Sequence, residues 1–198
     1  MKEVNYLKKL LVGIISVMFF TVFFSTFTAN ADSAEYLGVK KCKMCHMKQY
    51  KAWQKTKMAT SFENLKAGVN AEAKKTAGLD PDKDYTTDVN CLKCHTTGYG
   101  KAGGFKSLAE TPKLINVQCE GCHGPGSKYR KIMMKNPKFK IAEVKAAGLT
   151  APSEDEKTCL QCHGADSPFN EKVDPKYKFD YKERLKNTHK HFPRKYEH

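Results

Sequence analysis

Cys42-Lys43-Met44-Cys45-His46, Cys91-Leu92-Lys93-Cys94-His95, Cys119-Glu120-Gly121-Cys122-His123 and Cys159-Leu160-Gln161-Cys162-His163 are four copies of one pattern, and together they use all eight cysteines of the chain. C-x-x-C-H is the attachment signature of c-type haem. The chemistry explains the spacing. Two thiols add to the two vinyl groups on one edge of a porphyrin, and the two intervening residues set their separation. The histidine that follows is then held under the ring, where a neutral imidazole nitrogen binds iron. The pattern therefore assigns Cys42, Cys45, Cys91, Cys94, Cys119, Cys122, Cys159 and Cys162 to haem attachment, with His46, His95, His123 and His163 as proximal iron ligands. Four covalently attached haem c groups are expected.

Other uses of cysteine fit less well. Eight cysteines in an exported chain suggest four disulfides, but none stands outside a C-x-x-C pair. A four-cysteine zinc ribbon has no use for a histidine after each second cysteine. A thioredoxin-like pair would occur once, inside an α/β unit.

Four porphyrins also answer a packing question. The chain is lysine-rich with a mean hydropathy of −0.62, and its own side chains would make a thin core. The macrocycles are expected to be the interior. The fold class that follows is mainly α: a small haem-dominated protein with short helices, much irregular chain and little or no sheet. Apolar residues Tyr50, Trp53, Met58, Phe62 and Leu65 recur at helical spacing and predict a helix over 47–65, closed by Gly68. Further helices are expected over 71–77 before Gly78, over 128–135, over 141–147 before Gly148, and from about Tyr181 to Lys190. Ser153 and Glu156 resemble a capping box opening a helix into the fourth motif. Residues 98–104 and Gly124-Pro125-Gly126 are expected to be loops.

The N-terminus reads as an export signal. Lys2, Lys8 and Lys9 precede an uncharged apolar run from Leu10 to Phe27, and Ala29-Asn30-Ala31 is a small-x-small cleavage site, the three-part secretory pattern. A retained anchor is the rival, because the run is near bilayer length. The organisation expected is a signal peptide over 1–31 and a tetrahaem domain over 32–198, with no membrane span in the mature form and a periplasmic or extracellular location. The formal charge is +14, of which Lys2, Lys8 and Lys9 against Glu3 contribute +2, leaving +12. Export argues against nucleic acid as the partner. The surplus lysine suits attraction of redox proteins with acidic docking surfaces.

Several stretches resemble the cytochrome c-554-type tetrahaem cytochromes: Tyr36-Leu37-Gly38 through the first motif with Gln49-Tyr50, Trp53 and Met58-Ala59; the second motif with Thr96-Thr97-Gly98; and Val117-Gln118 through the third motif to Gly124-Pro125-Gly126. The resemblance implies a mainly helical fold, haems in close stacked and perpendicular pairs, and electron transport in the periplasm. Two departures stand out. The family often has a distal histidine where this chain has Met58, and another a few residues after the Gly-Pro-Gly turn, where this chain shows Tyr129.

The distal ligands are limited by a count. Seven histidines less four proximal ones leave His189, His191 and His198, so four irons cannot all be bis-histidine within one chain. Met58 is a candidate distal ligand, since thioether is an established axial ligand of c-type haem; the alternative is a core methionine on an amphipathic helix. His189 is the better C-terminal candidate, with His191 two positions on and unable to face the same ring in a regular helix. Met133, Met134 and Tyr129 fit packing against porphyrin better than ligation. Electron transfer between redox partners is the function expected. An enzyme acting on nitric oxide or hydroxylamine at an open haem face, and a subunit of an extracellular haem filament, are the alternatives.

Overall fold

A computed structural model of the protein describes residues 33–187. The expected signal segment and His189, His191 and His198 lie outside the described residues. Short helices alternate with irregular chain. They are α1 (Val39–Cys42), α2 (Met47–Trp53), a 3-10 helix (Lys57–Leu65), α3 (Ala71–Thr76), α4 (Val89–His95), α5 (Cys119–His123), α6 (Ser127–Lys135), α7 (Ile141–Ala146), α8 (Lys157–His163) and α9 (Tyr181–Asn187), with 3-10 turns at Pro112–Leu114 and Pro175–Tyr177. The described residues contain no sheet, only an isolated antiparallel bridge between Thr96 and Ile115. The class is mainly α, as the motifs implied. No helix of the described residues is long and apolar enough to cross a membrane.

The punctuation residues act where the sequence placed them. Gly78 at φ +69° and Gly148 at φ +100° follow the ends of α3 and α7, since a helix most readily ends on a left-handed residue that lacks a Cβ. Gly124-Pro125-Gly126 separates α5 from α6.

Two expectations fail locally. The predicted helix over 47–65 is broken: α2 stops at Trp53, Thr56 is extended, and the chain resumes as a 3-10 helix kinked at Thr60. Thr56 donates its hydroxyl to the Trp53 carbonyl at 2.7 Å, closing off α2, and Trp53 Nε1 donates to the Val117 carbonyl at 2.9 Å. The Met58 carbonyl accepts the Val117 N–H at 3.2 Å. Tertiary partners thus take over where a continuous helix would use its own ladder. The Ser153/Glu156 capping box is also absent. Glu156 makes no side-chain cap bond, and Asp155 Oδ1 accepts the Lys157 N–H at 3.0 Å instead.

The side-chain core is small. Phe62, Leu65, Tyr85, Leu92, Phe105 and Leu114 are buried together, with Tyr36, Leu79 and Tyr99 against them. This cluster joins the 3-10 helix to α4, which carries the second motif. Elsewhere α1 packs on α5 and α4 on α8. Each of these pairings brings one haem motif against another.

Candidate haem attachment sites

A C-x-x-C pair on one turn of helix puts both thiols on the same side, because residues three apart are neighbours there. α4, α5 and α8 each end on the motif histidine: His95, His123 and His163. The first motif is built differently. α1 ends at Cys42, a turn carries Lys43 to Cys45, and His46 caps the start of α2.

The imidazoles meet the requirements of an iron ligand. His95 Nδ1 lies 2.5 Å from the Ser61 carbonyl oxygen, and His123 Nδ1 lies 3.1 Å from that of Thr150. A carbonyl can only accept, so Nδ1 carries the hydrogen and Nε2 is left with its lone pair for metal. Burial lowers the pKa of His46, His95 and His163, and Arg184 adds to the effect at His163. Burial thus favours the neutral form, which ligation needs. The His163 ring also stacks on Phe179, centroids 4.5 Å apart and 8° from parallel.

The thiols sit in a defined order. Cys42 hydrogen-bonds Cys119, and the bond raises the first thiol and lowers the second. Cys162 hydrogen-bonds Cys94 in the same sense, bringing Cys94 down to about 7, helped by Lys93 against the effect of burial. The charge of Cys159 acts on Cys122. Motif one therefore meets motif three, three meets four, and four meets two.

Two residues that sequence reasoning passed over make the first of these junctions. Glu120 is 1% exposed. Its Oε1 accepts the N–H of Leu37 at 2.9 Å and of Gly126 at 2.7 Å; its Oε2 accepts those of Leu37 at 3.0 Å and Gly38 at 2.7 Å. Gln118, also buried, accepts the Val39 N–H on Oε1 at 2.6 Å and donates through Nε2 to the carbonyls of Lys113 and Ile115, both at 2.7 Å. The side chains flanking Cys119 thus cap the amides that open α1, a helix of four residues too short to stand alone. The available signal was that Glu120 is the lone acid between Glu110 and Glu143.

Met58 is the second residue of the 3-10 helix, half-buried, with its backbone against the segment that leads into the third motif. Tyr129 is buried and donates its hydroxyl to the Gly124 carbonyl at 3.1 Å; burial first, then the Glu120 charge, push its phenol well up. Met133 is half-buried and Met134 exposed on α6.

Thiol pairs each followed by an imidazole define a multihaem c-type cytochrome that acts in electron transfer. Residues 41–124 match the family described as cytochrome c554 and c-prime. The chain is 34% identical to cytochrome c-554 of Nitrosomonas europaea over 205 residues, covering 91% of this chain and 85% of that protein. Its fold matches the solved structure of the reduced state of cytochrome c554 from Nitrosomonas europaea, with a TM-score of 0.71 at 34% identity over 84% of this chain and 91% of that one. The chain belongs to the cytochrome c554 family.

Proposed function

We propose that the protein is an exported tetrahaem electron carrier, with the signal peptide over 1–31 removed. Cys42 and Cys45, Cys91 and Cys94, Cys119 and Cys122, and Cys159 and Cys162 would hold one haem each, with His46, His95, His123 and His163 as proximal ligands. The haem iron supplies one-electron chemistry between its ferric and ferrous states.

The observation that carries this reading is the order of neighbouring thiols. Cys42 beside Cys119, Cys122 beside Cys159 and Cys162 beside Cys94 order the attachment points one, three, four, two. That order suits entry at one end and exit at the other. The residues then have plain roles: the thiols tether, the Ser61 and Thr150 carbonyls orient His95 and His123, and Glu120 with Gln118 lock the first attachment point to the third.

Met58 and His189 are proposed as distal ligands. One observation favours a second reading, an enzyme with an open haem face acting on a small nitrogen compound: only three histidines remain after the proximal four. Electron paramagnetic resonance of the oxidised protein separates the two. Low-spin iron throughout is expected of a carrier, and a high-spin signal that responds to nitric oxide would replace that reading with the enzyme.

A further inference from the structure

Basic residues are unevenly placed along this chain. Residues 36–62 hold seven lysines and no acid, and residues 121–142 hold five lysines and Arg130, again with no acid. Each stretch alone could be a solvated surface. The fold brings them together around the first motif. Arg130, on α6, donates to Met44 Sδ at 3.7 Å; the hydrogen bond to Cys119, burial and the Glu120 charge push the Cys42 thiol up, and the nearby Arg130 charge works against them. The exposed lysines Lys40 and Lys41 on α1 thus share a face with Lys131 and Lys135 on α6, and none of these four forms an ion pair among the described residues. Some lysines elsewhere do have local acids, as in Lys66–Glu63, Lys75–Glu72, Lys106–Glu110 and Lys145–Glu154.

Two acids adjoin this face. Glu120 is buried and bonded to three backbone N–H groups, and Glu35 lies at the edge, its N–H on the Ser127 hydroxyl at 2.8 Å. Met44 and Met134, in the same two stretches, are also exposed and add apolar surface. The approach to the second motif is of a different kind, with Asp80, Asp82, Asp84 and Asp88 in one short stretch.

We propose that this face is the docking site for an acidic redox protein, which makes the first haem the port through which that partner exchanges electrons. The proposal rests on the carrier reading and adds which end of the one–three–four–two order meets the acidic partner. Unpaired lysines beside small apolar contacts suit a transient complex. Long-range attraction speeds encounter by 10-fold to 1000-fold at low salt, while few apolar contacts let the partner leave.

The test uses the full haem-loaded protein and fully reduced flavodoxin, an acidic one-electron donor, in stopped flow. One electron leaves the flavin and turns one ferric iron ferrous. K40E/K41E/K131E is compared with K172E/K178E/K182E, which alters net charge equally at exposed lysines outside the two acid-free stretches. The first triple should slow reduction at least tenfold at low ionic strength and flatten its salt dependence; the second should change the rate less than threefold. Equal slowing by both triples, or by neither, overturns the port. A wild-type protein that dithionite reduces and flavodoxin does not, at any salt, defeats the carrier reading, and the port with it.

Discussion

Glu120 Oε2 accepts the backbone N–H of Gly38 at 2.7 Å, across 82 residues of chain. One carboxylate, inside the third haem motif, holds the helix that opens the first. Glu120→Ala would leave the amides of Leu37, Gly38 and Gly126 without partners, and an unsatisfied buried amide costs about 1–3 kcal/mol. The expected loss is about 3–5 kcal/mol, read as a thermal midpoint about 6–20 °C lower in the haem-loaded protein. Glu120→Gln keeps most of the shape and should cost less. It also removes a buried negative charge, so the reduction potentials of the first and third haems should rise. An unchanged midpoint for the alanine variant would show that the clamp contributes nothing.

The haem count follows from the motifs. Intact mass of the mature protein should exceed that of the polypeptide beginning at about Asp32 by four haem masses, with no thiol left to alkylate. Three haems, or a disulfide, would contradict the assignment of one of the motifs.

Met58 tests the distal ligands. A thioether is a weaker donor to ferric iron than imidazole, and methionine ligation raises the potential. Met58→His should lower one potential and leave the rest nearly unchanged; Met58→Ala should produce a high-spin signal. If Met58→Ala alters no haem spectrum, and the weak near-infrared band of ferric methionine-ligated haem is missing, Met58 is a packing residue.

Gly98 probes the loop behind the second motif. It has φ +74°, and a Cβ there would come within 2.7 Å of the Tyr36 ring. Gly98→Ala meets both the left-handed backbone and the aromatic face, and each is unfavourable. A loss of about 2 kcal/mol or more is expected in thermal unfolding, whereas Gly100→Ala, with nothing within 4 Å of its Cβ, should show only the backbone cost.

The sequence by itself determined the chemistry, because covalent attachment is a local matter. Two thiols and an imidazole within five residues suit haem through their own spacing, whatever surrounds them, so four candidate sites could be marked directly, and the helical class that they implied is the one observed. The short helices at 71–76 and 141–146 were legible for a similar reason, since glycine ends a helix through its own backbone freedom.

Tertiary structure decided how the motifs pair, and that pairing depends on contacts between residues far apart in the chain. The helix expected over 47–65 broke because Trp53 and Met58 bond to Val117. The orientation of His95 depends on the Ser61 carbonyl, 34 residues away. No periodicity or spacing announces such bonds, because a hydrogen bond needs only a partner within reach and folding alone decides which one that is. The lysine-rich face around the first motif has the same origin: two acid-free stretches 59 residues apart, from Phe62 to Gly121, become one surface only when Arg130 reaches Met44.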